Sequence, residues 1–319
     1  MIDTLVIKGF KSIREVHLDC KRINLFIGEP NTGKSNILEA LGFLSWWQRG
    51  AKRQELSEYV RCEQERDLFY DGVTTQGSLE IEFTSEQDTA KLTGWFSEGV
   101  FHQFLERPGH FTDSAFDMKW FDRIRFYRFQ TLAKYPSDDT DYLLPTKGEN
   151  LAALLRASKE IGRLAREYFT PSGLVLVVKP QEQKIEIQKQ ADGVAVSFPY
   201  SNSSDTLQRM IFYMAAIESN RNAALVFEEP ETHAFPYYTK LLGESISLDA
   251  NKNQYFIATH NPYLLTAIWE KAAAGEIAVF ATYYRNYETR VKLLTEEDMA
   301  WLFEADPFLG VSHLVEEAQ

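Results

Sequence analysis

Three short segments carry residues whose types and spacing suit chemistry on a phosphate ester. The first, Gly28-Glu29-Pro30-Asn31-Thr32-Gly33-Lys34-Ser35, fits a phosphate-binding loop at every fixed position, follows the apolar run Ile23 to Ile27 and opens an amphipathic stretch. In that context the backbone N–H groups of the glycine turn and of the first helical turn converge on phosphates, where the helix dipole also favours negative charge. Lys34 then reaches the β and γ phosphates and Ser35 ligates Mg²⁺. The nucleotide-binding set is Gly28, Asn31, Thr32, Gly33, Lys34, Ser35 and Asn36. In the second segment, Ala224-Leu225-Val226-Phe227 runs straight into Glu228-Glu229-Pro230-Glu231. Neighbouring side chains on a strand point to opposite faces, so the two carboxylates can take different tasks. Glu228 would hold Mg²⁺, and Glu229 would orient or activate the water that attacks the γ-phosphate. Standing alone, two glutamates before a proline read as a charged loop; a phosphate loop in the same chain reverses that reading. In the third segment the strand Tyr255 to Thr259 ends at His260-Asn261-Pro262, which puts His260 within reach of the γ-phosphate as a sensor. ATP and Mg²⁺ are the expected ligands, with Glu229 and His260 as the catalytic pair.

These groups need a sheet to bring them together. Leu5 to Ile7 and Val16 to Leu18 read as short strands around Gly9-Phe10-Lys11-Ser12-Ile13, and Ile23 to Ile27 as the buried strand that delivers the loop. After Ser35, the residues Ile37, Leu38, Leu41, Leu44 and Trp47 recur at helical spacing, which predicts one face packed on the sheet. Ser78 to Phe83 alternates as a half-exposed strand of an antiparallel layer. The aromatic stretch from about 86 to 121, interrupted by Gly and Pro, reads as a small inserted helical arm or lid, with a peripheral subdomain that has its own satellite core as the preferred plainer reading. Arg123 to Gln130 is another alternating strand, with Arg123, Arg125 and Arg128 taken to share a face. Leu151 to Tyr168 reads as one long amphipathic helix with Arg156, Lys159, Arg163 and Arg166 in a stripe. Such a stripe could follow a phosphate backbone, but Glu160 and Glu167 make a solvated, salt-bridged face at least as good a reading. Trp46, Trp47, Arg49, Lys52 and Arg53 pose the same choice, and a helix end with cations on its dipole is preferred there. Leu174 to Phe198 is a β meander, and Ser201 to Asp205 is a capping cluster before the helical stripe Leu207, Met210, Ile211, Met214 and Ile217. The tail, 276–319, holds two strands and a terminal helix.

Composition bounds the function. With 44% hydrophobic residues in a chain of 319, a substantial core is available. No apolar run approaches a membrane span and the first residues enter a strand pattern, so a cytoplasmic protein with no membrane contact is expected. Cys20 and Cys62 alone encode neither a disulfide framework nor a thiolate metal site. A formal charge of −12 argues against an all-over grip on nucleic acid and leaves a local basic patch open.

Taken together the segments resemble the compact ATPases of the ABC superfamily, in the branch that contains the SMC, RecF and OLD-type proteins. The resemblance rests on Ile7-Lys8-Gly9-Phe10-Lys11-Ser12-Ile13, on Gly33-Lys34-Ser35-Asn36-Ile37-Leu38-Glu39-Ala40-Leu41 and on Lys147-Gly148-Glu149-Asn150-Leu151-Ala152. It is completed by Leu225-Val226-Phe227-Glu228-Glu229-Pro230-Glu231 and Ala258-Thr259-His260-Asn261-Pro262. It implies an α/β P-loop NTPase of ABC-ATPase type: a single two-lobed domain over 1–319, with a mixed core sheet, an antiparallel β layer and a small helical insert. The signature helix, Walker B and His-loop region would occupy 200–275. It also implies a head-to-tail homodimer with ATP at the interface. Gln130 would link the metal site to the arm as a nucleotide and metal ligand, and Ser203 and Ser204 would meet the partner's ATP. Two departures stand out: Ser203-Ser204-Asp205-Thr206 lacks the signature glycine, with Asp205 set to place a negative charge where the partner's γ-phosphate is expected and so to weaken ATP-driven closure, and Glu228 stands where Asp is commoner.

No sustained heptads separate Ser35 from Ser203 and no acidic metal cluster follows His260, so neither a coiled-coil arm nor a nuclease domain is expected in this chain. The function expected is slow, Mg²⁺-dependent ATP hydrolysis that drives dimerisation and conformational change. It would serve DNA repair or maintenance, or anti-phage defence, through a partner effector such as a nuclease, with nucleic acid left open as a ligand. Two alternatives are an ABC transporter ATP-binding subunit and a non-hydrolysing scaffold that ATP stabilises.

Overall fold

Among the described residues, hydrophobic strands flanked by glycine turns collapse into three sheets. The structure is a computed structural model, and it describes residues 1–50, 55–73, 77–85, 88–106, 123–304 and 310–316. In chain order, β1 (Thr4–Phe10) and β2 (Ile13–Asp19) form a hairpin, and β3 (Ile23–Ile27) leads through the phosphate loop into α1 (Lys34–Gln48). A short α2 (Leu56–Tyr59) precedes β4 (Ser78–Ser85), β5 (Asp88–Ser97), β6 (Val100–Glu106) and β7 (Ile124–Tyr127). Then come α3 (Leu151–Ala157), α4 (Lys159–Phe169), β8 (Val175–Lys179), β9 (Lys184–Ala191), β10 (Val194–Pro199) and α5 (Asp205–Ser219). The remainder is β11 (Ala224–Glu228), α6 (Pro236–Ser247), β12 (Gln254–Ala258), α7 (Pro262–Lys271), β13 (Ile277–Arg285), β14 (Glu288–Leu293), α8 (Glu296–Glu304) and α9 (Val311–Glu316).

The central sheet runs in the order β14-β13-β3-β12-β11-β7, parallel except for the antiparallel β13–β14 pair. Its two faces differ by residue parity. Leu25, Ile27, Leu225, Phe227, Tyr255 and Ile257 join the apolar cluster beneath α5 and α6, which also includes the meander β10-β9-β8. Asn24, Phe26, Val226, Phe256 and Phe280 point the other way, where the apolar members meet α1 and an antiparallel sheet of order β2-β1-β4-β5-β6. The fold class is therefore the expected one: a mixed core sheet with an antiparallel layer.

Helix α1 lies between these two sheets, so Ile37, Leu38, Ala40, Leu41, Phe43 and Leu44 are all fully buried. The one-sided packing expected of it is corrected: a helix that is covered on all sides reads as apolar nearly all round.

The helical arm expected over 86–121 is also corrected. From Asp88 to Glu106 the chain is a β hairpin, paired from Ser97↔Val100 back to Lys91↔Glu106 and turned by Glu98 and Gly99 at φ 52° and 78°. Both residues take left-handed backbone, as the two-residue hairpin turn requires. The aromatics that suggested an insert fasten this hairpin to the core, with Phe96 5.3 Å from Phe69 and Phe101 6.3 Å from Phe43 between ring centroids. Residues 86–87 and 107–122 of that stretch lie outside the described residues.

The single helix expected over Leu151 to Tyr168 breaks at Ser158, whose extended backbone (φ −91°, ψ 117°) ends α3 while its hydroxyl accepts from the Ile161 N–H to cap α4. The break interrupts the cationic stripe, and Arg163 is paired with both Glu160 and Glu167. Trp46 is buried; Lys52 and Arg53 lie outside the described residues. Among the described residues the tail carries two helices, α8 and α9, where one was expected.

Candidate functional site

All three chemical segments come to the C-terminal ends of adjacent parallel strands: the loop after β3, His260 after β12, and Glu228 and Glu229 at the end of β11. That crevice is where open parallel sheets bind ligands.

The loop is held from the side by β13 and β14. A Cβ on Gly28 (φ 146°) would stand 2.3 Å from the Thr282 carbonyl oxygen, and one on Gly33 (φ 95°) only 1.9 Å from Thr289 Oγ1. Both positions thus require glycine, for space and for backbone. Thr32 Oγ1 donates to the Glu29 carbonyl at 2.8 Å and lies 2.8 Å from Thr282 Oγ1. Lys34 Nζ folds back into the loop and donates to the carbonyls of Gly28 (2.8 Å) and Glu29 (2.7 Å). Burial pulls this ammonium down to about 8, against the opposing pull of Glu229 and Glu29. Asn31 sits at φ 63°, and Asn36 Nδ2 donates to Ser12 Oγ at 2.6 Å, tying the loop helix to the β1–β2 turn.

Glu228 is gripped from two sides. Arg61 Nη2 lies 2.9 Å from one carboxylate oxygen and Arg128 Nη2 3.0 Å from the other. Burial pushes its pKa up, but the Ser35 hydroxyl and these two guanidiniums outweigh it and hold the group below the usual carboxylate range. Behind it, the fully buried Glu39 of α1 pairs with Lys11, with Arg61 Nε at 2.6 Å and with Arg128 at 3.6 Å. Three cations and two carboxylates therefore share one cluster. Ser35 and Glu228 form a hard-oxygen pair that suits Mg²⁺, which takes a small number of protein oxygens and completes its shell with phosphate and water. Among the described residues no group of three or more His, Cys, Asp or Glu side chains forms a metal cage, as such an ion would not need one.

Glu229 turns away from Glu228 because its backbone is left-handed (φ 44°), with its N–H donating to the Ala258 carbonyl at 2.9 Å. Its carboxylate stands 3.4 Å from His260 Nε2. Burial and the nearby Lys34 charge push His260 below its ordinary pKa, which favours the neutral imidazole. Glu231, two residues on, is buried and accepts from Thr259 Oγ1, while its Oε2 is buried without a partner among the described residues. Burial drives its pKa up to about 7.

The structure thus brings Lys34, Ser35, Glu228, Glu229 and His260 together. Gln130 is exposed beyond β7, and it is Arg128, two residues earlier, that meets Glu228. The expectation of one arginine face on this strand is corrected: positions three apart fall on opposite sides of a strand, and Arg125 instead stacks over Tyr142 at 3.3 Å. Ser203 Oγ donates to the Tyr200 carbonyl and Ser204 stands at the N-cap of α5. Arg209 Nε donates to Asp205 at 2.7 Å, which offsets the negative charge the sequence placed there. Buried Gln208 joins this segment to the loop after β7, accepting from Thr131 Oγ1 (2.9 Å) and donating to the Ser203 carbonyl (3.0 Å). Sequence reasoning missed Arg61, Arg128, Glu39 and Glu231 as members of the site. Only the third acid of Glu-Glu-Pro-Glu carried any signal for the last of these.

Comparison with known proteins bears on this geometry. A family model described as "AAA ATPase domain" matches residues 1–141, and one described as "AAA domain, putative AbiEii toxin, Type IV TA system" matches residues 93–266. A search of curated proteins gave no match. Among solved structures, an SMC head bound to the C-terminal winged-helix domain of ScpA aligns with a TM-score of 0.62 at 16% identity, over 94% of this chain and 99% of that one. The Smc head domain with an extended coiled coil, bound to the C-terminal domain of ScpA and derived from Pyrococcus furiosus, aligns with a TM-score of 0.60 at 15% identity, over 95% and 98% of the two chains. At these identities the likeness is one of fold.

Proposed function

The chain belongs to the AAA-domain family whose model is described as "AAA domain, putative AbiEii toxin, Type IV TA system", with ATP binding and hydrolysis as its general activity, and from that premise we propose a Mg²⁺-dependent ATPase that works as a homodimer. The observation that carries this reading is the convergence of Lys34, Ser35 with Glu228, and Glu229 with His260 at three neighbouring strand ends. Lys34 leaves the Gly28 and Glu29 carbonyls for the β and γ phosphates, which the loop N–H groups also hold. Ser35 and Glu228 hold Mg²⁺, whose charge offsets that of the phosphates. Glu229 accepts a proton from the attacking water, and His260 donates a hydrogen bond toward the γ-phosphate. Arg61 and Arg128 pair with Glu228 and would have to release it for Mg²⁺ to be held there, leaving two guanidiniums that could balance phosphate charge.

Ser203 and Ser204, at the N-terminal end of α5, offer the surface for a second copy's ATP, and the Arg209 pairing of Asp205 lowers the electrostatic objection to closure. The two SMC heads are described with a bound ScpA domain, so a partner protein, here an effector such as a nuclease in DNA maintenance or defence, is part of the same proposal. Among the described residues no helix is long and apolar enough to cross a membrane.

Phosphate release from the pure protein tests the reading, with Lys34→Ala as the control that loses ATP binding. Light scattering of Glu229→Gln with ATP tests the dimer. Absence of Mg²⁺-dependent turnover in the wild-type protein, with ATP still bound, would favour the scaffold alternative.

A further inference from the structure

At the end of the central sheet opposite the nucleotide crevice, β7, β11 and β12 begin side by side at Ile124, Ala224 and Gln254. A cavity of about 190 Å³ opens there. Ala224 and Glu228 stand at the two ends of β11, about 13 Å of strand apart, so the cavity is separate from the phosphate loop.

Its lining departs from the charge of the molecule. The chain has a formal charge of −12, yet among the described residues the cavity is bordered by the cations Arg123 and Lys252 and by no carboxylate. Neither cation has an ion-pair partner among the described residues, although Arg123 is half-buried and fixed by the buried Ile124 that follows it. A guanidinium drawn partly out of water without a counter-ion is unfavourable, and a bound anion would offset that cost. Gln254 is already engaged: its Oε1 accepts from the Ile2 N–H at 2.8 Å, and its Nε2 donates to the carbonyls of Ile2 (2.7 Å) and Lys21 (2.8 Å). Asn222, at the rim, has a side-chain amide that makes no hydrogen bond among the described residues. The turns that carry Asn222 and Lys252 are both left-handed, at φ 50° and 60°, and are joined by the Asn222 N–H donating to the Asn251 carbonyl at 3.0 Å. Fully buried Asn253 fastens them, its Oδ1 accepting from the Ala223 N–H at 3.2 Å and its Nδ2 donating to the Asn220 carbonyl at 3.1 Å. A rim held in this way is preformed, which spares a ligand the cost of ordering it.

We propose that this cavity binds a small phosphate anion, free phosphate or a short phosphate monoester, with Arg123 and Lys252 as its counter-ions and Asn222 as a neutral donor. A guanidinium presents a planar fork that matches two phosphate oxygens and an ammonium acts as a point charge, so the pair suits a dianion over a monocarboxylate. The volume lies below the roughly 300 Å³ at which pockets for drug-sized ligands begin, too small for a whole nucleotide. The site goes beyond ATP hydrolysis and does not depend on it.

Calorimetric titration of the full chain at fixed ionic strength tests it, with inorganic phosphate, glycerol phosphate and acetate as probes. Because the phosphate loop also attracts phosphate, Lys34→Ala is titrated beside the wild type. Phosphate binding should persist in Lys34→Ala, weaken at least about tenfold in Arg123→Gln, and vanish when Lys252→Gln is added. The melting temperature of that double variant should not fall, since no ion pair is broken. Acetate should bind at least about tenfold more weakly than phosphate. Glycerol phosphate binding as tightly as phosphate supports a site for monoesters, and binding of phosphate alone supports a site for the free ion. Loss of phosphate binding in Lys34→Ala, or unchanged affinity in the double variant, overturns the cavity site, as does a wild-type protein that binds no phosphate.

Discussion

His260 Nε2 stands 3.4 Å from Glu229 Oε1, although the two residues leave different strands and Glu229 must adopt a left-handed backbone to turn toward it. This pairing puts a neutral imidazole and a carboxylate at the place where the γ-phosphate and its attacking water would meet. Glu229→Gln keeps the shape and removes the proton acceptor. Single-turnover hydrolysis should fall at least about 100-fold while ATP affinity changes little. Equal turnover in the variant and the wild type would falsify the role given to Glu229.

Lys34 carries the pH dependence of binding. Burial lowers its pKa to about 8, so in the nucleotide-free protein the ammonium is lost as pH rises through that value. Bound phosphates favour the charged form and draw a proton back. ATP affinity should therefore decline above about pH 8, with net proton uptake on binding that calorimetry in buffers of different ionisation enthalpy reads directly. Lys34→Arg, charged throughout, should show no such uptake; its persistence would assign the proton to another group.

Glu231 makes stability depend on pH with the opposite sign to a paired carboxylate. Its folded pKa of about 7 lies above the ordinary carboxylate value of 4.5, so the folded state binds the extra proton between these values. The contribution is fully present below pH 4.5 and is lost as pH rises through 7, a loss of about 3 kcal/mol at most. Glu231→Gln should unfold at higher urea than the wild type at pH 8 and show no advantage at pH 5. A constant difference across that range would mean that Glu231 stays charged in the fold.

Glu39 is fully buried among Lys11, Arg61 and Arg128, and deleting its carboxylate leaves those cations facing one another. Glu39→Ala should cost about 3 kcal/mol in urea unfolding, since removing one member of a buried ion pair leaves its partner uncompensated. Lys11→Met combined with Glu39→Met should recover much of that loss. Failure of the double variant to recover would show that packing, and not charge, is what Glu39 supplies.

The loop from Gly28 to Ser35, the acid pair and the strand-end histidine were legible because each is a contiguous pattern whose chemistry follows from a few adjacent residues. The parallel core was legible for a related reason: short, fully apolar strands alternating with helical stripes have few other ways to bury themselves. The hairpin Asp88–Glu106 was not, since its aromatics alternate only when the Glu98-Gly99 turn is recognised, and its lost period resembled an irregular insert.

What the sequence alone determined was which residues could do the chemistry and the strand ends from which they would act. What tertiary structure decided was their company. Lys11, Glu39, Arg61, Arg128 and Glu228 come from five separate segments, and Thr282 and Thr289 wall the phosphate loop only because β13 pairs with β3 across some 250 residues of chain. Charge balance and the space around a glycine depend on such long-range contacts, which no local pattern of residues records.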